Sequence, residues 1–358
     1  MSEKSPFVPV FELTRGEIGE SLHFGAVTVT DKTGTLIAGC GDPGLVTYLR
    51  SSAKPFQVLP LIEAGGVDHF GLTLKEVALM CASHSGTDAH VQVAASIQKK
   101  VDVGELDLMC GIQPPMDEAT REQLRARGQT PTQNRHNCSG KHSGMLAQAR
   151  LNGWSVDHYI DPIHPVQQQI LKTFAEVCAV PMEDVELGID GCSAPNFAIP
   201  LRQAAQGFAR LCDPDDFPPA RASACRTIIQ AMTTHPDMIA GPGRFDTRLM
   251  QVTDGRIVAK GGAEGYQIIG IRPGALGAHS PALGITVKIS DGDARHRARS
   301  GVVLEVLRQL GALNATELAE LAEFGPHSEI YNWRKLTVGE ARPVFKLEIF
   351  ERLETLPV

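Results

Sequence analysis

The first forty residues of the chain alternate between apolar and polar positions, which is the pattern of half-buried β-strands. The strands predicted there cover residues 8–13, 22–30 and 35–40. The turn Asp31-Lys32-Thr33-Gly34 joins the last two. A helix is predicted from Ser51 to Ala64, because Pro55 lies in its first turn and two glycines follow its end. The chain therefore begins with part of a sheet, followed by one helix.

Helical spacing of apolar residues then dominates from about residue 74 to residue 232. The predicted helices are 89–101, 118–127, 143–151, 165–177 and 221–233. Strand patterns return afterwards at 249–253, 257–260, 266–271 and 284–290, with Asp254-Gly255 predicted as the turn of a hairpin. A helix at 294–310, a polar connector and an extended segment at 344–349 complete the predicted elements.

Strands at both ends with helices between them predict an α/β (α+β) fold, in which both chain ends build one antiparallel sheet beside a helical lobe. The predicted division is a sheet-containing lobe at 1–70 and 235–358 and a mainly helical lobe at 71–234. The active site is expected at the seam of the two lobes, next to the helix that begins at Ser51.

Composition narrows the range of partners. With 358 residues, of which 42% are hydrophobic, the chain can bury a large core. The net charge of −7 gives no extended positive field, so neither nucleic acid nor an anionic membrane surface is expected as a partner. No stretch approaches the roughly 20 apolar residues of a membrane span. The N-terminus lacks the pattern of a secretory signal, so a cytoplasmic protein with reduced cysteines is expected.

Ser51 and Lys54 form a Ser-x-x-Lys pair, the spacing found in enzymes that activate a serine with a lysine. Residues three apart share one face of a helix, so the amine can reach the hydroxyl. Attack on a carbonyl requires the amine to be neutral, and burial or a second cation nearby favours that state. The alternative is coincidence, because this short motif often occurs by chance.

Two further segments supply candidate partners for this pair. Ser83 and His84 lie in the run Cys81-Ala82-Ser83-His84-Ser85-Gly86, which predicts a tight loop. Lys260 is followed by two glycines, which permit close approach of a ligand to the backbone. The alternatives are an ordinary capping serine at 83, a loop or supporting role for His84, and a bulged surface strand at 260.

Cys138 and Cys192 are each embedded in polar, glycine-containing sequence, unlike the other cysteines. The first lies in Asn137-Cys138-Ser139-Gly140-Lys141-His142-Ser143-Gly144, and the second follows Asp190-Gly191. Two thiolates, a nitrogen donor and a water would form an open tetrahedral zinc site. The alternative is a pair of reduced thiols beside a pocket. Arg50 and Arg244 are candidates to hold a substrate carboxylate by a bidentate pair, although either can instead form a structural ion pair.

The combination of Arg50-Ser51-x-x-Lys54, Ser83-His84, Cys138-Ser139-Gly140-Lys141-His142, Asp190-Gly191-Cys192 and Lys260-Gly261-Gly262 resembles the asparaginase II family of the rhizobial, third-class type. The resemblance spans nearly the whole chain. It implies a fold similar to serine β-lactamases, DD-peptidases and glutaminases, hydrolysis of L-asparagine to L-aspartate and ammonia, and a homodimer.

The resemblance also implies roles for individual residues. It assigns two serine–lysine tandems, Ser51 with Lys54 and Ser83 with Lys260, that meet in one pocket. It further implies an auxiliary zinc ion held by Cys138, Lys141, Cys192 and water, with Asp190 beside it.

The resulting hypothesis is that Ser51 attacks the side-chain amide and that Ser83 relays protons, with the serine roles open to exchange. Zinc, or Asp190 and His142, would orient the substrate. The alternatives are a glutaminase or another amide or β-lactam hydrolase, and a non-catalytic zinc- or amino-acid-binding protein.

Overall fold

The computed structural model describes residues 5–351, which divide into two compact units. The first unit comprises residues 5–52, 199–213 and 252–351, and the second comprises 53–198 and 214–251. The strands are β1 Val8–Arg15, β2 Ile18–Asp31, β3 Leu36–Cys40, β4 Val46–Tyr48, β5 Glu186–Ile189, β6 Pro195–Pro200, β7 Ile257–Gly261, β8 Tyr266–Ile271, β9 Leu283–Ile289, β10 Ser328–Tyr331, β11 Thr337–Pro343 and β12 Glu348–Ile349.

The α-helices are α1 Lys54–Glu63, α2 Gly66–Phe70, α3 Leu74–Met80, α4 Asp88–Lys100, α5 Glu118–Ala126, α6 Ser139–Leu151, α7 Pro165–Cys178, α8 Leu201–Cys212, α9 Pro219–Thr234, α10 Pro236–Ile239, α11 Phe245–Val252, α12 Arg299–Gln309 and α13 Ala315–Glu320. Five 3₁₀ turns lie at Arg50–Ala53, Glu105–Asp107, Gln133–Arg135, Met182–Asp184 and Ala322–Phe324.

The first unit is built on an antiparallel sheet of nine strands in the order β10-β11-β1-β2-β9-β8-β7, with β3 paired to β2 and β12 paired to β3. Strands from both ends of the chain therefore alternate within one sheet. Helix α8 packs on β2, β8 and β9. A glycine at 284 permits this close packing, because a Cβ there would lie 1.8 Å from the carbonyl oxygen of Ala205.

The second unit is mainly helical, and α6 is its central helix. This helix packs against α1, α3, α4 and α7, and almost all of its residues are buried. Its first turn crosses α3 at close range: a Cβ at Gly140 would lie 2.1 Å from the carbonyl oxygen of Leu79. The polar segment that begins α6 is thereby held inside the unit.

Most elements agree with the sequence pattern, and the mixed α/β character with an antiparallel sheet from both chain ends is confirmed. The five helices predicted between residues 89 and 233 are present. The strand predicted at 249–253 is wrong, because residues 249–252 belong to α11 and residue 253 begins the turn after it. Asp254 and Gly255 both have positive φ, and their turn leads from that helix into β7 rather than joining two strands. The polar connector before residue 344 contains the unpredicted hairpin of β10 and β11.

No helix among residues 5–351 is both long enough and apolar enough to cross a membrane. The eight cysteines are free thiols, and seven of them are buried.

Candidate active site

Ser51 lies in the 3₁₀ turn Arg50–Ala53, which leads directly into α1 at Lys54. The predicted helical segment from 51 is therefore present, with Pro55 in its first turn. Arg50 has a φ of 52°, which is unusual for a residue with a side chain. Such conformations tend to occur at functional sites, where the surrounding structure sustains the strain.

The Lys54 amine is buried within the helical unit and surrounded by oxygen atoms. Its Nζ lies 2.6 Å from the carbonyl oxygen of Ala82, 2.9 Å from Ser83 Oγ and 3.3 Å from the carbonyl oxygen of Asn137. The residue is only 1% exposed. The hydrogen bond between Lys54 and Ser83 is a contact that the sequence did not predict, since the resemblance pairs Lys54 with Ser51 and Ser83 with Lys260.

Ser83 is held by a short loop that follows α3. Its backbone N–H donates to the carbonyl oxygen of Ile239 at 2.8 Å. Gly86 ends the loop with a φ of 76°, and a Cβ there would lie 2.7 Å from the carbonyl oxygen of Arg135. These contacts fix the position from which the Ser83 hydroxyl meets Lys54.

His84 links this loop to the start of α6. Its Nδ1 accepts from the N–H of Gly86 at 3.2 Å, so the ring proton is on Nε2, which lies 2.9 Å from Ser139 Oγ. Ser139 in turn donates to the carbonyl oxygen of Asn134 at 3.1 Å. Burial, together with the neighbouring His90 and Lys54, holds the pKa of His84 well below its usual value. Both ring nitrogens contact protein groups, as a loop or supporting role for His84 requires, and contact of His84 with a substrate stays a prediction.

Lys260 lies on the edge strand β7 of the sheet, in register with Ile268, and is fully buried. Its Nζ donates to the carbonyl oxygen of Gly261 at 2.7 Å. In the same unit, Ser52 Oγ donates to the carbonyl oxygen of Lys260 at 2.8 Å. Lys260 and Ser83 belong to different units, and their pairing stays a prediction.

The close approach predicted at the glycines after Lys260 is present. A Cβ at Gly262 would lie 2.6 Å from the carbonyl oxygen of Leu49, so only glycine fits at this position. Arg299 Nη1 donates to the carbonyl oxygen of Gly262 at 2.7 Å, which fixes the backbone that follows β7.

Cys138, Lys141 and Cys192 form a buried cluster in the helical unit. Cys138 immediately precedes α6, Lys141 lies in the first turn of that helix, and Cys192 lies in the turn between β5 and β6. Lys141 Nζ is 2.8 Å from Cys192 Sγ. Lys141 and Cys192 are therefore in direct contact, and the assignment of Cys138, Lys141 and Cys192 as zinc ligands stays a prediction.

Cys138, Lys141 and Cys192 shift one another's pKa values. The neighbouring Cys138 and then the charge of Lys141 lower the pKa of Cys192 despite burial. The adjacent Cys192 and burial raise the pKa of Cys138, whose thiol donates to Asn137 Oδ1 at 3.0 Å. Burial lowers the pKa of Lys141, but the adjacent Cys192 and Cys138 outweigh it and raise this pKa overall. These directions favour a thiolate at Cys192 paired with an ammonium at Lys141, beside a neutral Cys138 thiol.

His142 lies next to this cluster. Its Nδ1 is 2.6 Å from the hydroxyl of Tyr159, which also accepts from the N–H of Met109 at 2.9 Å. Its Nε2 is fully buried. Burial lowers the pKa of His142, so the ring is neutral. Within residues 5–351, no group of three or more His, Cys, Asp or Glu side chains is arranged to hold a metal. The predicted zinc ligands are not a group of this kind, because one of the three is a lysine.

The remaining predicted substrate-binding residues are more exposed. Arg50 Nη1 lies 3.8 Å from Glu264 Oε1, a contact typical of a structural ion pair. Arg244 is exposed in the loop before α11. Asp190 is half-buried, and its Oδ1 accepts from the N–H of Gly191 at 2.8 Å. Contact of these three residues with a substrate stays a prediction.

The structure adds three groups that the sequence did not single out. These are the carbonyl oxygens of Ala82 and Asn137 on Lys54, and the Tyr159 hydroxyl on His142. The first two adjoin predicted motifs and could have been found there. No sequence motif identifies Tyr159, because only the packing of the folded chain brings its hydroxyl next to His142.

Comparison with known proteins gives a match over almost the whole chain. The family model described as L-asparaginase II matches residues 11–343. No curated protein matches.

Several solved structures of glutaminases are similar. A Bacillus subtilis glutaminase in covalent complex with 5-oxo-L-norleucine has 10% identity and a TM-score of 0.34, with 79% of this chain and 86% of that chain covered. A probable glutaminase of Bacillus subtilis has 12% identity and a TM-score of 0.33 over 75% of this chain and 82% of that chain. The protein Mglu in its native form has 14% identity and a TM-score of 0.32 over 82% and 66%.

Proposed function

The chain belongs to the L-asparaginase II family, and we propose that it is an amidohydrolase that converts L-asparagine to L-aspartate and ammonia through a serine acyl-enzyme. Membership of the family supports amide hydrolysis, and the choice of L-asparagine is the finer part of the proposal. The fold we infer with it is that of the serine β-lactamases and DD-peptidases. The observation that carries the mechanism is the buried hydrogen bond between Lys54 and Ser83.

The oxygen atoms around Lys54 suit an amine that exchanges protons with hydroxyl groups. A carbonyl oxygen can only accept a hydrogen bond, so Ala82 and Asn137 each require an N–H from Lys54. A neutral amine has two N–H groups and one lone pair, and the lone pair is then left for a hydroxyl. An ammonium has a third N–H, which Ser83 Oγ can accept. The same arrangement therefore satisfies both states that a catalytic lysine must adopt.

In the first step, Ser51 Oγ attacks the carbon of the substrate's side-chain amide while its proton passes to neutral Lys54. The spacing of three residues along consecutive helical turns supports this pair. The C–N bond then breaks as Lys54 gives a proton to Ser83 Oγ and Ser83 gives its own proton to the departing nitrogen. Ammonia leaves and a Ser51 ester remains.

In the second step, water attacks this ester, and the reverse transfers return a proton to Ser51 and release aspartate. Backbone N–H groups in the turn that contains Ser51 would stabilise the oxyanion in both steps, at about 3 kcal/mol for each donor. The role of Lys260, which the family resemblance pairs with Ser83, stays a prediction.

We further propose that zinc binds at Cys138, Lys141 and Cys192. Lys141 Nζ lies 2.8 Å from Cys192 Sγ, and the pKa values of Lys141 and Cys138 are raised, so zinc binding would have to release their protons and should strengthen as pH rises. When bound, zinc would supply a fixed positive charge for orienting the ionic end of the substrate. Its presence is tested by metal analysis and by thiolate-to-metal absorption after cobalt replacement. Cys192→Ser should lose that absorption, and equal absorption in both proteins would contradict the site.

The reaction is tested by measuring ammonia released from L-asparagine and from L-glutamine, with hydrolysis of a chromogenic β-lactam in parallel. We expect asparagine to give the highest kcat/KM and Ser51→Ala to abolish turnover. Preferred turnover of glutamine or of the β-lactam would contradict L-asparagine as the substrate but would still support a hydrolase. Thermal stabilisation by asparagine without ammonia release would instead identify a binding protein. Full activity of Ser51→Ala together with an inactive Ser83→Ala would exchange the roles of the two serines.

A further inference from the structure

His136 lies just before the polar segment that begins α6, and its backbone is fixed on both sides. Its N–H donates to the carbonyl oxygen of Gln133 at 3.0 Å, and its carbonyl oxygen accepts from the N–H of Ser139 at 2.9 Å. The residue is 8% exposed. The imidazole ring therefore extends from a defined position inside the helical unit.

The ring of His136 is a hydrogen-bond donor at Nε2. Its Nδ1 accepts from the backbone N–H of Cys138 at 3.0 Å. A ring nitrogen that accepts a hydrogen bond carries no proton, so the proton of the neutral imidazole is on Nε2. Burial lowers the pKa of His136 to about 4, which agrees with a neutral ring at pH 7.

Two other histidines of the helical unit use Nδ1 in the same way, but each has a protein group at Nε2. His84 Nδ1 accepts from the N–H two residues ahead, and its Nε2 lies 2.9 Å from Ser139 Oγ. His164 has the same contact at Nδ1, and its Nε2 lies 3.1 Å from the carbonyl oxygen of Ser155. Within residues 5–351 no group accepts a hydrogen bond from Nε2 of His136, although this atom is not fully buried. Its N–H is therefore available to a ligand.

This N–H belongs to the part of the helical unit that holds the proposed chemistry. The residue after His136 is Asn137, whose carbonyl oxygen lies 3.3 Å from Lys54 Nζ. The charge of Lys54 also contributes to the lowered pKa of His136, after burial. The ring therefore lies near the contact between Lys54 and Ser83.

A neutral N–H donor can pair with only some of the groups of L-asparagine. The α-ammonium group is excluded because it too has only donors. In the proposed mechanism the side-chain amide oxygen is held by backbone N–H groups. The α-carboxylate is the remaining acceptor, and a hydrogen bond to a charged acceptor is stronger than one between neutral groups. This carboxylate is separated from the amide carbon by only two carbon atoms, so it must lie close to the reacting groups.

We propose that His136 Nε2 donates a hydrogen bond to the α-carboxylate of the substrate, and that this contact selects amides that also carry a carboxylate. The inference rests on the proposed function, because it names a residue that recognises the substrate of that reaction. His136 directly precedes the motif that begins at Asn137, and the sequence motifs did not include it.

Two substitutions separate substrate binding from support of the turn. Asn can keep the acceptor for the N–H of Cys138, but it lacks the donor at the far end of the ring. Gln can place an N–H at the far end, but it lacks the acceptor. We expect His136→Asn to raise KM for L-asparagine at least about tenfold, with kcat within about twofold of that of the natural chain. We expect the KM of His136→Gln to be at least about fivefold lower than that of His136→Asn.

The opposite order, with a normal KM in His136→Asn and an impaired His136→Gln, would show that the ring only supports the turn at Cys138. That result would overturn the proposal, as would a fall in kcat at unchanged KM in His136→Asn. His164→Asn is the matched control, because it changes the same Nδ1 arrangement at the start of α7, and its KM should equal that of the natural chain. Circular dichroism verifies that each variant is folded.

Two analogues of L-asparagine test which end of the substrate His136 binds. Succinamate lacks the α-amino group, and 3-aminopropanamide lacks the α-carboxylate. Each is measured as a competitive inhibitor of aspartate formation from L-asparagine. His136→Asn should raise the inhibition constant of succinamate at least about tenfold and change that of 3-aminopropanamide by less than about twofold. Equal changes for both analogues would overturn a contact with the carboxylate.

Failure of this proposal can be distinguished from failure of the proposed function. If the natural chain binds L-asparagine without releasing ammonia, the amidohydrolase proposal fails, and dissociation constants from calorimetry replace KM in the same comparison. If the natural chain prefers L-glutamine, the same order of variants is expected, because glutamine has the same α-carboxylate. A natural chain that binds neither amino acid would overturn both proposals.

Discussion

The Lys54 amine lies 2.9 Å from the Ser83 hydroxyl, although the two residues come from different helical segments of the chain. Lys54 begins α1, and Ser83 follows the end of α3. The backbone around both residues fixes the contact, because the carbonyl oxygen of Ala82 also accepts from Lys54. The proposed transfer of a proton between Lys54 and Ser83 rests on this contact.

Replacing Lys54 by arginine should inactivate the protein, because a guanidinium keeps its proton and cannot serve as a base. We expect kcat to fall by at least about a thousandfold, in the upper part of the range for general acid–base catalysis. Lys100→Arg is the matched control, since Lys100 Nζ pairs with Glu76 and donates to the carbonyl oxygen of Gly71, each at 2.7 Å. Substantial ammonia release by the Lys54→Arg protein would contradict a role for Lys54 as a base.

Removing the Ser83 hydroxyl should slow the departure of ammonia rather than weaken substrate binding. We expect Ser83→Ala to lower kcat by about a hundredfold or more, with little change in KM. Ser143→Ala is the matched control, because that serine lies in the same unit and its hydroxyl donates to the carbonyl oxygen of Ser139. A rise in KM at unchanged kcat would indicate that Ser83 binds substrate instead of relaying protons.

Whether a part of this site can be predicted from sequence depends on how far apart its residues lie along the chain. The helix at Lys54, the loop at Ser83 and the start of α6 could each be predicted from local patterns. The contact between Lys54 and Ser83 joins residues 29 positions apart and depends on how α1 and α3 pack, which spacing does not reveal. The helix α11 was mistaken for a strand because its apolar run is short and is followed by a turn sequence that also suits hairpins.

His84 should act as a positioning residue for the Ser83 loop. Each of two substitutions can keep one of its hydrogen bonds: Asn can reproduce the acceptor for Gly86, and Gln can reproduce the donor to Ser139. We expect both to retain more activity than His84→Ala, in which kcat should fall by about tenfold while KM changes little.

The pH profile separates this role from direct catalysis. A neutral, buried His84 does not titrate in the working range, so the profile of kcat should keep its shape in all three variants. Loss of one limb of that profile in His84→Gln would indicate that His84 itself exchanges a proton during the reaction.

Glu76 should stabilise the helical unit in a manner that depends on pH. Burial raises the pKa of this carboxyl, but hydrogen bonds from Lys100, Thr73 and Ser96 outweigh burial and lower the pKa below its usual value. A lowered folded-state pKa means that the stabilisation is fully present above the pKa of the unfolded chain, about 4.3, and is lost as pH falls through the folded-state value.

Glu76→Gln should therefore lower the free energy of unfolding at pH 7 by about 1–3 kcal/mol, as expected for loss of a charged hydrogen-bond acceptor with a 4% exposed side chain. The difference from the natural chain should shrink below about pH 4. Glu20→Gln is the control, because the side chains of Glu20 and of its ion-pair partner Arg15 are each 53% exposed. Such a pair should contribute about 0.5 kcal/mol or less to the free energy of unfolding. Denaturant unfolding at pH 7 and at about pH 2, below the usual range of carboxyl pKa values, makes the comparison. A loss that is equal at both pH values would show that Glu76 acts through packing and not through its charge.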